Sequence, residues 1–132
     1  MVIPSGLLAD VVAHAQRDAP DECCGLVSVR DGAAVGVHPL ENHAHSPMRF
    51  EVDGRELLGI LDEIEEGGAE LGAIYHSHTR SDPHPSQTDV NFAANWPGVE
   101  WLIVGTAGRE PVVRSFTIDG GTITEVDVTH GA

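Results

Sequence analysis

The chain has 132 residues, a length typical of one domain that can bury a core without disulfide bonds. Its formal net charge of −14 disfavours binding to nucleic acid and excludes a basic membrane-binding patch. No apolar run approaches the ~20 residues that cross a membrane. The N-terminus lacks the basic and apolar regions of a signal peptide, so we expect a cytoplasmic protein with no membrane partner.

The first part of the chain predicts a helix followed by a hairpin. Apolar residues recur at helical spacing after Ser5, which has the features of a cap, and Pro20 ends the helix. His14 lies near the end of this helix, and we expect it at the surface. Asp31-Gly32 is a strong hairpin turn signal. The two predicted strands span residues 24–29 and 33–40.

The two cysteines, Cys23 and Cys24, are adjacent at the start of this hairpin. Neighbouring cysteines rarely form a disulfide bond, and the chain has no C-x-x-C pair for a zinc or redox site. We therefore expect both thiols to pack in the core, where cysteine behaves as a small apolar residue.

A polar loop with a His-x-His pair, His43 and His45, follows the hairpin. Turn-forming residues surround the pair, and no carboxylate follows it at the start of a helix. We therefore do not expect these histidines to bind a metal, and their roles stay open. Residues 48–52 predict a short strand whose backbone is able to pair with an extended peptide.

The second half predicts alternating helices and strands. Asp53 has the features of a helix cap, with Glu56 placed to complete a capping box, and Gly67-Gly68 ends that helix. Further elements are predicted at residues 71–75 (strand), 87–95 (helix), 99–104, 112–118 and 122–128 (strands). Hairpins mixed with crossover helices predict an α/β fold, a mixed sheet flanked by helices, in a single domain that spans residues 1–132.

The stretch Tyr75–Asp89 holds the candidate metal ligands. His76 and His78 follow an apolar strand, and because side chains alternate along a strand, both imidazoles leave from the same face. Ser86 has the features of a helix cap, which places Asp89 in the first helical turn. Two imidazoles and one carboxylate aimed at a single point suit a catalytic zinc ion with an open fourth position.

Each half of this pattern also has a purely structural interpretation. Ser86 and Asp89 match a capping pattern, and an acidic residue is favoured near the positive end of a helix. A His-x-His pair alone is common, and a motif match is a hypothesis. The conjunction of the two halves favours a metal site. His84, between two prolines, is expected near the cleft and has no assigned role.

The complete pattern, His76-x-His78, seven residues and then Ser86-x-x-Asp89, resembles the signature of the JAMM (MPN-plus) metalloprotease domain. The family also requires an upstream glutamate, and Glu22 resembles it. The similarity extends over nearly the whole chain and is strongest to small bacterial members that act on ubiquitin-like sulfur-carrier proteins. It implies an architecture related to that of the cytidine deaminases.

The resemblance also implies the roles of the site residues. One catalytic Zn²⁺ ion is expected on His76, His78 and Asp89. Glu22 is expected to act as the general base, and Ser86 to donate a hydrogen bond to the developing oxyanion.

A softer similarity assigns substrate binding to Asn42, Ser46 and Phe50. The implied reaction is hydrolysis of the amide or isopeptide bond after the C-terminal Gly-Gly of a ubiquitin-like sulfur carrier, for example with release of cysteine or a short extension.

Two other functions fit the sequence less well. A non-catalytic MPN-type scaffold is expected to lack one or more of the ligands, whereas this chain retains them all. A zinc deaminase requires an H-x-E or C-x-E segment and a later P-C-x-x-C, which the chain does not supply. The sequence fixes neither the substrate protein nor the oligomeric state, and it is compatible with a homodimer.

Overall fold

The computed structural model describes the backbone of residues 1–131 and the side chains of residues 1–128. The described residues form three helices and eight strands. The helices are α1 (Ser5–Asp18), α2 (Gly54–Glu66) and α3 (Gln87–Ala93). The strands are β1 (Val2–Pro4), β2 (Cys24–Arg30), β3 (Ala33–Leu40), β4 (Glu70–His78), β5 (Glu100–Gly105), β6 (Val112–Asp119), β7 (Thr122–Val126) and β8 (Thr129–Gly131). None of these helices is long and apolar enough to span a membrane.

All eight strands belong to one mixed sheet with the order β7-β6-β5-β4-β2-β3-β1-β8. The pairs β4–β5, β1–β3 and β1–β8 are parallel, and the others are antiparallel. Asp31 and Gly32 have φ angles of 53° and 79°, as the tight hairpin turn between β2 and β3 requires. The predicted mixed sheet with flanking helices is confirmed. The single-domain organisation and the relationship to the cytidine deaminases stay predictions.

Different helices cover the two faces of this sheet. The core on the α1 face contains Val11, Ala15, Cys23, Val27, Ala73 and Tyr75. The core on the α2 and α3 face contains Cys24, Leu26, Ile64, Ile74, Ala93 and Trp101. Both cysteines are buried, as predicted, and burial raises the pKa of each thiol to about 12. Because β4 is buried on both faces, its successive residues enter opposite cores.

The prediction that His14 lies at the surface is wrong. Its side chain is 4% exposed, its Nδ1 lies 2.7 Å from the Tyr75 hydroxyl, and its Nε2 lies 3.1 Å from Asp18 Oδ2. Burial lowers the pKa of His14 and outweighs the opposing effect of Asp18. The neutral ring therefore accepts from the tyrosine and donates to the carboxylate, which satisfies two otherwise orphaned buried groups.

Residues 48–52 form an irregular loop rather than the predicted strand. The Asn42 amide donates to the Arg49 carbonyl at 3.0 Å and accepts the Glu51 N–H at 3.0 Å. The His43 N–H donates to the Glu51 carbonyl at 2.8 Å. These bonds occupy backbone groups that a strand ladder needs, so the segment folds back on its own loop instead of joining the sheet.

Two of the predicted helix caps differ in detail from the structure. Asp53 caps α2 by accepting the Arg55 N–H at 2.8 Å, but the predicted capping box is wrong. The Glu56 carboxylate instead accepts the N–H of Glu41 at 3.0 Å, because β3 ends beside the start of α2. Ser5 is the first residue of α1 rather than its cap. The strands β1 and β8 were not predicted, since three residues are too few to show a periodic pattern.

Candidate metal centre

The end of β4 presents two imidazoles on the α2 and α3 face of the sheet. His76 and His78 are 0% and 6% exposed, and their Nε2 atoms lie 3.1 Å apart. β4 pairs with β2 through Cys24 and with β5 through Ile103 at the level of His76. The ring of His76 packs against Phe50, with centroids 5.1 Å apart. The alternation expected for a strand therefore places both rings as the sequence predicts.

The start of α3 supplies the third group. The Ser86 hydroxyl accepts the Asp89 N–H at 3.1 Å, and Asp89 Oδ2 accepts the Ser86 N–H at 2.9 Å. This reciprocal capping box fixes the carboxylate. The same Oδ2 atom lies 3.2 Å from His76 Nε2 and 3.4 Å from His78 Nε2. The capping box at Ser86 therefore also directs the Asp89 carboxylate at the two imidazoles.

The three ligand atoms fit a zinc ion. Their separations of 3.1, 3.2 and 3.4 Å are close to the ~3.3–3.6 Å between tetrahedral ligands at bond lengths of ~2.0–2.2 Å. The Nδ1 of His78 lies 2.9 Å from the Asp82 carbonyl and donates to it, which leaves the Nε2 lone pair facing its neighbours. Lone pairs converging from two nitrogens and a carboxylate favour a cation between them.

The charge states of the centre follow from burial and hydrogen bonding. Burial alone raises the pKa of Asp89, but bonds from His76 and His78 outweigh burial and hold that pKa well below its usual range. For His78, burial lowers the pKa, and the bonds to Asp89 and to the Asp82 carbonyl reverse the effect and raise it. The carboxylate ligand is therefore ionised across the ordinary pH range.

Glu22 is held beside this centre through the backbone around it. Its N–H donates to the Ser46 carbonyl and its carbonyl accepts from the Asn42 amide, both at 2.9 Å. The next N–H, that of Cys23, donates to the Ser77 hydroxyl at 2.8 Å. The side chain is 7% exposed, and burial raises its pKa to about 7 despite the opposing effect of the nearby imidazole. A carboxylate with that pKa is suited to exchange a proton near neutral pH.

A cleft of about 480 Å³ opens over these groups. Its lining includes Glu22, Met48, Arg49, Phe50, His78, Arg80, Ser86, Asp89 and Phe92. The Ser86 oxygen already accepts a backbone N–H, so its hydroxyl hydrogen is left to donate to a group in the cleft. The candidate base, two of the candidate ligands and a hydroxyl donor therefore face one accessible volume.

The three residues assigned to substrate binding occupy different environments. Phe50 lines the cleft. Asn42 is 5% exposed, and its amide makes four bonds to backbone groups, which include the Glu22 carbonyl and the Ala44 N–H. The Ser46 hydroxyl accepts the Met48 N–H at 3.0 Å. Asn42 therefore organises the loop beside the cleft, and the role of all three residues in substrate binding stays a prediction.

Two hydroxyl side chains that the sequence did not single out connect the parts of the site. Ser77, between the histidines, faces the opposite side of β4 and holds the backbone after Glu22. Thr79 donates to the Pro20 carbonyl at 2.9 Å, and the Pro47 carbonyl lies 3.3 Å from its oxygen. Strand alternation predicts the direction of Ser77, whereas no sequence signal marks Thr79.

Three further histidines, His43, His45 and His84, lie outside the centre. The ring of His84 packs edge-on against Phe116, with centroids 5.3 Å apart. His43 and His45 lie in the exposed loop, with their Nε2 atoms 3.6 and 3.9 Å from Glu41. Ligand atoms of Glu41, His43 and Glu56 lie within 4.8 Å of one another in a mostly exposed group.

The family model "Prok-JAB: Prokaryotic homologs of the JAB domain" matches residues 4–119 of the chain. The CysO-cysteine peptidase of Mycobacterium tuberculosis is 35% identical, and the alignment covers 97% of this chain and 89% of that protein. The desampylase of Haloferax volcanii is 38% identical over 75% of this chain and 76% of that protein. A probable TtuB-protein conjugate cleaving protease of Thermus thermophilus is 38% identical over 92% and 78%, respectively.

Solved structures show the same fold. Protein DSY2949 from Desulfitobacterium hafniense superimposes with a TM-score of 0.86 at 30% identity, covering 98% of this chain and 92% of that one. AF2198, a JAB1/MPN domain protein from Archaeoglobus fulgidus, gives a TM-score of 0.68 at 21% identity, with 98% of both chains covered. From these similarities it follows that the chain belongs to the family of prokaryotic JAB-domain homologues and is a peptidase of the JAMM type.

Proposed function

We propose that this chain is a zinc-dependent peptidase that hydrolyses the amide bond after the C-terminal Gly-Gly of a ubiquitin-like sulfur-carrier protein. The observation that carries the proposal is the convergence of three ligand atoms within 3.4 Å beside the buried Glu22, at the base of an open cleft. The similarity to a CysO-cysteine peptidase and to a probable TtuB-protein conjugate cleaving protease supports the carrier class.

His76, His78 and Asp89 would hold the ion, with the bond from His78 to the Asp82 carbonyl orienting one of the imidazoles. Bound zinc acts as a Lewis acid and lowers the pKa of water to about 7. Glu22 takes the proton of the attacking water and later delivers it to the leaving amine.

The Ser86 hydroxyl stabilises the charge that develops on the carbonyl oxygen. Its oxygen is fixed by the Asp89 N–H, so its hydrogen is aimed without a large loss of rotational freedom. Donors in this role contribute about 2.7–4 kcal/mol to catalysis. No nucleophilic side chain is needed, because water is the nucleophile.

The lining of the cleft suits an extended glycine tail. Met48, Phe50 and Phe92 give it an apolar lining next to the catalytic groups. A Gly-Gly segment lets its backbone approach such a surface closely, because it has no side chains. We propose that the carrier tail enters here, with its last carbonyl beside Ser86 and Glu22.

A non-catalytic scaffold would have no need for this arrangement. A buried carboxylate with a raised pKa is unfavourable for folding, and its place beside three converging ligand atoms favours a catalytic site over a scaffold. Zinc analysis of the purified protein separates the two functions: the peptidase binds one equivalent, and a scaffold without metal binds none.

The decisive experiment incubates the zinc-loaded protein with candidate ubiquitin-like carriers that bear C-terminal extensions. Mass spectrometry is expected to show cleavage immediately after Gly-Gly, with loss of activity under chelation and recovery on zinc addition. The Glu22→Gln variant is the control for contaminating proteases. Cleavage at another bond, or none by zinc-loaded protein on any carrier, would contradict the proposal.

A further inference from the structure

Arg80 is an exposed cation at the edge of the catalytic cleft. The chain contains no lysine and seven arginines, and two of these, Arg49 and Arg80, line the cleft. Arg49 forms an ion pair with Glu51 at 2.6 Å. Arg80 is exposed, and its guanidinium makes no ion pair or hydrogen bond with the side chains described for residues 1–128. It is therefore available to a ligand.

The backbone fixes where this cation sits. Arg80 lies two residues after His78, and Thr79 between them is bonded to the Pro20 carbonyl. The long arginine side chain starts from an anchored position beside the metal ligands and reaches over the same volume as Ser86. A substrate group held close to the scissile bond lies within its range.

The charge of the chain indicates what this ligand is. A net charge of −14 repels any substrate that brings a carboxylate, so a cation in the cleft would offset that repulsion. A guanidinium binds a carboxylate through two parallel hydrogen bonds. On the carrier side of the scissile bond, Gly-Gly offers only neutral peptide groups. On the leaving side, a single C-terminal amino acid offers a free α-carboxylate next to the bond.

We propose that Arg80 is a specificity-determining residue that binds the α-carboxylate of the residue released from the carrier. This inference rests on the proposed function. The preferred substrate is a carrier with one amino acid attached through its α-amine. A conjugate in which Gly-Gly is joined to a lysine side chain of a folded protein has no carboxylate at this position and is cleaved more slowly. Each further residue moves a terminal carboxylate about 3.5 Å away.

The test compares two synthetic peptides that end in Gly-Gly-Ala, one with a free carboxylate and one with a carboxamide. Zinc-loaded wild type is expected to favour the acid by about tenfold or more in kcat/KM, the range of one charge-assisted hydrogen bond. Arg80→Gln should lower the acid-to-amide ratio of kcat/KM to about one. Arg80→Lys should keep part of the preference.

Arg109→Gln is the matched control, because it removes the same charge from an exposed position that is not among the cleft residues. It should keep the wild-type ratio. An acid-to-amide ratio near one in the wild type, or an unchanged ratio in Arg80→Gln, would overturn the inference. Equal slowing of both peptides would overturn it too, since Arg80 would then contact the carrier side.

A binding measurement separates failure of this inference from failure of the proposed function. Calorimetry with zinc-loaded Glu22→Gln gives the dissociation constants of both peptides without turnover. Tighter binding of the acid, lost in the Glu22→Gln/Arg80→Gln double variant, supports the role of Arg80 even if the wild type cleaves neither peptide. Equal binding of the two peptides refutes that role.

Discussion

The chain contains the same tripeptide pattern, His-x-His, in two places with opposite outcomes. His76 and His78 lie at the end of a central strand, are almost fully buried, and point their Nε2 atoms at the same carboxylate oxygen. His43 and His45 lie in a loop, with side chains 43% and 68% exposed, and His45 has a φ angle of 46°. The difference is in the backbone that carries each pair.

At the first pair, the protein holds the candidate ligands in position without a metal. Neighbouring strands fix the direction of both rings, and the capping box of α3 fixes the carboxylate. At the second pair, the same ligand types belong to exposed side chains, which would lose more conformational entropy on binding. Preorganisation therefore distinguishes a candidate zinc centre from a group of polar surface residues.

The largest expected effect is a difference in kcat between substitutions of two glutamates, Glu22 beside the first pair and Glu41 beside the second. Glu22→Gln should lower kcat by about 10²–10⁴-fold, the usual contribution of a general acid–base residue, with one zinc still bound. Glu41→Gln removes an exposed carboxylate beside His43 and should leave kcat unchanged. Kinetics and metal analysis on both variants check this prediction. Near-normal turnover by Glu22→Gln would show that Glu22 is not the general base.

Sequence alone predicts much of this contrast, because alternation along β4 and the cap at Ser86 are local properties. For that reason, the spacing of His76, His78 and Asp89 is enough to predict a metal centre. Sequence alone does not predict the environment of Glu22, which depends on bonds from the 42–46 loop and from Ser77, far along the chain. Only the family resemblance pointed to this residue.

The failures have the same origin. Its position near the end of a helix predicts a surface site for His14, but the buried Tyr75, 61 positions away in the chain, needs a hydrogen-bond partner. Residues 48–52 have the composition of a strand, but one asparagine side chain takes their hydrogen bonds. In both cases a polar contact between distant residues overrides a local preference.

A smaller effect is expected when the carboxylate ligand is neutralised. Asp89→Asn keeps the shape of the side chain but removes its charge, and zinc affinity should fall at least about 100-fold, since loss of an outer-shell partner alone costs 10–100-fold. Asp82→Asn is the control, because only its backbone carbonyl contacts His78. Competition with a chromogenic chelator measures both affinities. Equal affinities would show that the ion, if bound, is not held by Asp89.

Burial of Glu22 should also be visible in metal-free protein. Its pKa rises from 4.5 to about 7 on folding, so the stability contributed by the protonated form is present below pH 4.5 and is lost as pH rises through 7. With chelator present, Glu22→Gln should therefore match the wild type near pH 4.5 and exceed its free energy of unfolding by about 3 kcal/mol at pH 8. Urea unfolding across this range tests the difference.

The smallest expected effect concerns the second pair directly. Replacing both His43 and His45 by Ala should leave one zinc per chain and change kcat/KM by less than about twofold, as is usual for exposed positions. In contrast, a single His-to-Ala change at the first pair, His78→Ala, should abolish stoichiometric zinc binding. If the double variant instead bound less zinc than the wild type, flexible exposed ligands would suffice for binding. Preorganisation by the backbone would then not be what separates the two pairs.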